Sequence, residues 1–169
     1  PLRRQRQMCI RDSASKNQKK HPPGHQASVF QTGPKVVESI KADIEAVWAE
    51  LGNFSGIKAG PGIDSVDYEG EGVGMTRSIN MSNGSVVERL DVHDSENKIF
   101  TYSIINEDSV LPFADYSATI RLSDNGDGTT SVDWTGQFES RGIGEEKAVK
   151  LASGIYGNAI NNAKKVLES

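Results

Sequence analysis

Arg77 and Glu88 interrupt two apolar, alternating segments: Val73, Met75, Arg77 and Ile79 before the dipeptide Asn83-Gly84, and Val86, Glu88, Leu90 and Val92 after it. A guanidinium holds its charge at any physiological pH and can stabilise a developing oxyanion, whereas a carboxyl group can give or take a proton. Held together in an apolar pocket, the two could move protons on a carbonyl or enol-like substrate, which is isomerase, cyclase or dehydratase chemistry. The period of two predicts strands with these residues on one face. Asn-Gly favours a two-residue hairpin turn, which predicts Ser82 facing Ser85, Ile79 facing Glu88 and Arg77 facing Leu90. Arg77 then lies diagonal to Glu88, roughly 7–8 Å away and within reach of long side chains. Burying an ion pair in an apolar face costs several kcal/mol per ion, so the pair suggests a polar spot in a greasy cavity. The alternative is a structural ion pair that fixes register.

Tyr102, alternating with Phe100 and Ile104, and Tyr116, beside Ala118 and Ile120, could each supply a hydroxyl or simply fill the core with the hydroxyl at its rim. The candidate catalytic set is therefore Arg77, Glu88 and Tyr102. Met75, Leu90, Tyr116, Trp134 and Ile155 are the candidate ligand contacts. Trp48 reads as core. The three histidines, His21, His25 and His93, form no metal-ligand or triad pattern. The strings Gly60-Pro61-Gly62 and Gly70-Glu71-Gly72-Val73-Gly74 do not open a helix after a strand, so they read as turns rather than phosphate cradles. No metal and no cofactor is expected.

Positioning such residues takes a sheet and something to cover it. A strand over Lys35 to Lys41 precedes a helix that Asp43 can cap, with Ile44, Val47, Trp48 and Leu51 at helical spacing and Gly52 as its stop. Asn53 to Gly62 reads as a turn or a single helical turn. Six further strands are predicted at about 63–70, 73–81, 85–93, 98–106, 114–123 and 129–139, separated by Gly, Asn and Asp turn chemistry. A long amphipathic helix from Gly144 to Glu168 ends the series. Its small residues Ala152, Gly154, Gly157 and Ala159 either leave a void beneath it or allow close packing on the sheet. The expected architecture is α+β: a curved antiparallel seven-stranded sheet wrapped around the last helix, with two short helices after the first strand.

At 169 residues, 36% of them hydrophobic, the chain can bury a core without disulfides. Cys9 is its one cysteine, consistent with a reducing, cytoplasmic setting. Residues 1 to 33 carry net charge +6 and the remainder −10, which marks a boundary near Gly33-Pro34. The leader's composition predicts disorder; it is either a targeting or nucleic-acid arm or a flank of no function. No second basic or aromatic element supports nucleic-acid binding, and no apolar stretch is long enough to span a membrane.

Pro34 to Glu168 resembles the SRPBCC or START-like helix-grip superfamily, within it the polyketide cyclase/dehydrase and lipid-transport group. The resemblance rests on Ile44-Glu45-Ala46-Val47-Trp48, Gly56 to Gly62, Gly74-Met75-Thr76-Arg77, Val87-Glu88-Arg89-Leu90, Asp115-Tyr116 and the last helix. The Gly-x-x-Arg and Glu-Arg-Leu segments are similar to those of plant lachrymatory factor synthases and abscisic-acid receptors. By the likeness to the synthases, catalytic roles would fall on Arg77 and Glu88. Glu107 to Phe113 contains Leu111-Pro112 but no receptor-style latch, so hormone sensing is not implied. The resemblance implies a small hydrophobic guest in an internal cavity. The chain would be an enzyme acting on that guest, a non-catalytic carrier of lipids or other hydrophobic molecules, or a protein-interaction module of the same fold, as a monomer or homodimer.

Overall fold

In a computed structural model the described residues are 33–169. The basic stretch before them, with Cys9, His21 and His25, lies outside the described residues.

The chain runs β1 (Lys35–Ile40), α1 (Ile44–Leu51), a single 3-10 turn (Phe54–Gly56), β2 (Ser65–Glu69), β3 (Thr76–Met81), β4 (Gly84–Asp94), β5 (Ile99–Ile104), β6 (Phe113–Asp124), β7 (Thr130–Ser140) and α2 (Glu145–Leu167). All seven strands form one antiparallel sheet in the order β1-β7-β6-β5-β4-β3-β2. This is the expected seven-stranded sheet with a long C-terminal helix, save that the second short helix is only the 3-10 turn. The Asn53 side chain accepts from Ser55 N at 3.1 Å, and Gly56 and the following Gly60-Pro61-Gly62 give no stretch in which a helix could propagate. Asp43 caps α1 by accepting from Ala46 N at 2.9 Å, and Val47 and Trp48 bury its inner side.

The hairpin register differs from the expected one. Met81 pairs with Gly84, so the two-residue turn is Ser82-Asn83 and Gly84 opens β4. Gly84 has φ 139°, and a Cβ there would lie 2.5 Å from Val110 Cγ1, so this position at the start of β4 requires glycine. Each partner shifts by two positions, which preserves the face and brings Arg77 directly opposite Glu88. Val73 lies in the turn before β3 and is 62% exposed. A bulge between Leu90 and Val92 turns Val92 outward and brings the His93 ring to 5.0 Å from Trp48.

A second bulge, between Ala114 and Ser117, has Asp115 at φ 51° and reverses the side-chain phase, so that Phe113 and Tyr116 are both buried. The loop before it is pinned by Arg141, which donates to the carbonyls of Glu107 (2.5 Å), Ser109 (2.5 Å) and Leu111 (2.9 Å).

α2 buries Ala148, Ala152, Tyr156, Ile160 and Ala163 and leaves Leu151, Ile155 and Val166 exposed. Gly154 and Gly157 do not mediate close packing on the sheet, because a Cβ at either would meet nothing within 4 Å. Lys164 reaches Glu38 on β1 at 3.2 Å, and the Glu168 side chain accepts from Lys41 N, so the end of the helix is fastened beside the first strand. Among the described residues no helix is long and apolar enough to cross a membrane.

Candidate functional site

Strand pairing builds the site. Tyr68, Arg77, Glu88 and Ile104 stand side by side across β2, β3, β4 and β5, and Leu90, Tyr102, Ala118 and Gly136 form a row across β4 to β7. Arg77 Nε donates to Glu88 Oε1 at 2.7 Å, and both residues are more than nine-tenths buried. Arg77 Nη1 donates to the Phe54 carbonyl at 2.8 Å, and the guanidinium carbon lies 4.2 Å from the centre of the Phe54 ring and 5.5 Å from that of Tyr102. One arginine thus holds both the glutamate and the 3-10 turn. Tyr68 donates to the Ile57 carbonyl at 2.7 Å; burial raises its pKa and the charge of Arg77 partly opposes that.

Beside the ion pair runs a chain of buried hydroxyls, with Tyr102 Oη 3.3 Å from Tyr116 Oη and Tyr116 Oη 2.6 Å from Tyr156 Oη. Small neighbours make room for it. Gly136 sits where a Cβ would fall 2.1 Å from Tyr156 Oη. Burial pushes all three phenols far above their ordinary pKa, and the Glu88 charge adds to this at Tyr102 and Tyr156. At neutral pH they are therefore uncharged donors.

A cavity of about 150 Å³ opens between sheet and helices, with Arg77, Phe100, Tyr102, Ile120 and Trp134 from the sheet and Glu50, Leu51, Asn53, Gly56, Ile57 and Ala159 around it. The expected residues do not all meet there. Arg77, Tyr102 and Trp134 line it; Glu88 does not, and joins through its bond to Arg77. Tyr116 is buried in the hydroxyl chain. Met75 and Leu90 line a separate groove of about 350 Å³ with Trp48, Phe54 and His93. Ile155 is 40% exposed and lines neither space; one turn on, Ala159 borders the cavity. Two contributors were not foreseen. Phe54 lay in a glycine-rich stretch without periodicity, and Tyr68 is signalled only by its alternation with Val66 in a short strand. Among the described residues no group of three or more His, Cys, Asp and Glu side chains could hold a metal ion.

Residues 34–168 match the polyketide cyclase/dehydrase and lipid transport family. The chain belongs to that family. MLP-like protein 423 of Arabidopsis thaliana is 30% identical over 113 residues, covering 59% of this chain and 71% of the relative. Two solved structures share the fold of this cyclase/dehydrase and lipid transport domain at 25% identity. The XoxI protein of Bacillus cereus gives a TM-score of 0.71 over 82% of this chain and 97% of its own. An uncharacterised protein of Bacillus thuringiensis gives 0.70 over 81% and 99%.

Proposed function

We propose that this protein binds a small hydrophobic molecule in the cavity between the sheet and α2. The observation that carries the reading is that a buried arginine, paired with Glu88, lies in the wall of a space whose sheet side is otherwise Phe100, Tyr102, Ile120 and Trp134, with Glu50 and Asn53 the polar groups opposite. Apolar walls with a few fixed polar groups are the usual composition of small-molecule sites. Membership of a family described by lipid transport and by cyclase and dehydrase chemistry supports the same reading. The test is ligand-observed NMR with a panel of monocyclic aromatic compounds on the parent and on Ala159→Phe, which adds a ring to the cavity lining. Binding to the parent that disappears in a folded Ala159→Phe is the expected result. Absence of binding, or binding indifferent to the substitution, would count against the site.

A second reading, acid/base conversion of a carbonyl or enol-like guest, is favoured by the 2.7 Å contact between Arg77 and Glu88. Arg77 would stabilise the oxyanion, Glu88 would move the proton and Tyr102 would supply a neutral hydroxyl. Glu88 does not line the cavity and is bonded to Arg77, so binding without turnover takes precedence. Exchange of α-protons of a bound ketone in deuterium oxide, lost in Glu88→Gln with binding retained, would establish conversion; no exchange in the parent removes it.

A further inference from the structure

We infer that Phe54 sets the size of guest the cavity accepts, by standing as a partition between the cavity and the groove beside it, so that one ring enters and a two-ring molecule does not. This rests on the binding reading above and adds to it a residue that determines specificity. Two spaces lie along one stretch of sheet. The groove of about 350 Å³ has Met75 and Leu90 on its sheet side, and the cavity of about 150 Å³ has Arg77 and Tyr102. Met75 precedes Arg77 by two positions and Leu90 pairs directly with Tyr102, so the two floors are continuous. Asn53 borders both spaces.

The residue at the seam is Phe54. It lines the groove and is 3% exposed, while its ring centre lies 5.9 Å from that of Phe100 and 4.2 Å from the guanidinium carbon of Arg77, both of them in the cavity lining. Phe54 thus has the groove on one side and cavity-lining groups on the other. Its turn is tied down along its length. Arg77 Nη1 donates to the Phe54 carbonyl at 2.8 Å, the Asn53 side chain accepts from Ser55 N at 3.1 Å, and Tyr68 donates to the Ile57 carbonyl at 2.7 Å. Size follows from this division. About 150 Å³ is the volume in which an apolar protein cavity holds a benzene-sized molecule, and the larger groove lies on the far side of Phe54. Truncating Phe54 leaves a ring-sized gap at the seam, which a second ring of a guest can fill.

Benzyl alcohol and 4-biphenylmethanol carry the same neutral head on one ring and on two, and they test this on the full chain by nitrogen–proton correlation spectra. The chain has two tryptophans, Trp134 lining the cavity and Trp48 lining the groove, so their indole signals report which space is filled, and Trp48→Phe assigns them. In the parent, benzyl alcohol should move the Trp134 signal, and 4-biphenylmethanol should bind there at least about tenfold more weakly, since the second ring overpacks the space. In Phe54→Ala the affinity ratio of 4-biphenylmethanol to benzyl alcohol should rise at least about tenfold, the worth of burying one further ring, with both indole signals moving at one midpoint. If 4-biphenylmethanol moves the Trp134 signal of the parent as readily as benzyl alcohol does, or if the ratio is the same in Phe54→Ala, this inference fails and the binding reading survives. If a probe reaches Trp134 in Phe54→Ala and none does in the parent, the partition stands and the binding reading falls. If no probe moves the Trp134 signal in either protein, both fall together. Should Phe54→Ala not fold, Phe54→Leu decides: the ratio should rise at least about threefold, and an unchanged ratio overturns the inference.

Discussion

Raising the pH should dismantle this fold through its buried phenols. Tyr102, Tyr116 and Tyr156 have folded-state pKa values raised by burial above the ordinary value of 10.0. The unfolded chain therefore loses these protons first. Their contribution to stability is fully present below pH 10 and is lost as the pH climbs from there toward the folded values. At pH 11 each unfolded phenol gains about 1.4 kcal/mol from ionisation that the folded one cannot, so three remove about 4 kcal/mol. A domain of this size is stable by about 5–15 kcal/mol, which makes that loss a large share of the whole. Urea unfolding at pH 9, 10 and 11 measures it, and absorbance at 295 nm reports tyrosinate. Lysines also titrate here, so the comparison is with Tyr102→Phe, in which the drop between pH 9 and pH 11 should shrink by about 1.4 kcal/mol. Tyrosinate absorbance should appear together with loss of far-ultraviolet dichroism. Three tyrosines ionising near pH 10 in a chain that keeps its dichroism would refute the buried hydroxyl chain.

Arg77→Met should cost about 3–5 kcal/mol in urea unfolding at pH 7, because it strands a buried carboxylate, whereas Arg77→Met with Glu88→Leu should recover most of that loss. Equal costs for the single and double variants would mean the pair is not desolvated. Two glycines should respond in opposite directions. Gly154→Ala, with free space around its Cβ in a helix, should stabilise by about 0.5–1 kcal/mol. Gly136→Ala, driven against a Tyr156 hydroxyl held by Tyr116, should destabilise by about 1–3 kcal/mol, with both changes read as thermal midpoints.

Strand and helix identity, the inward aim of Arg77 and Glu88 and the cap at Asp43 were legible because each follows from period or local chemistry. What was not legible depends on distant neighbours. The need for glycine at position 84 comes from Val110, in a loop far along the chain, and no local residue announces the two-position shift in register. The bulge after Leu90 flips the phase of Val92, and no local residue announces it. On α2 the apolar positions spread too widely for helical period to choose between the row through Ala152 and Tyr156, which is buried, and the row through Leu151 and Ile155, which is exposed. Phe54 entered the site because Arg77 captures its carbonyl, a contact between a glycine-rich turn and a strand that neither segment encodes alone.

Pairing of β1 with β7 has a consequence for biosynthesis. Lys35 meets Thr135, so a ribosome adding about 5–20 residues per second leaves the nascent first strand waiting on the order of 5–20 seconds for its partner. Over that interval the successive hairpins from β2 to β6 can zip together as they emerge, while Val36 and Ile40 remain without a sheet to cover them. The opening segment is thus the stretch most open to chaperone capture or to mispairing with a neighbouring nascent chain.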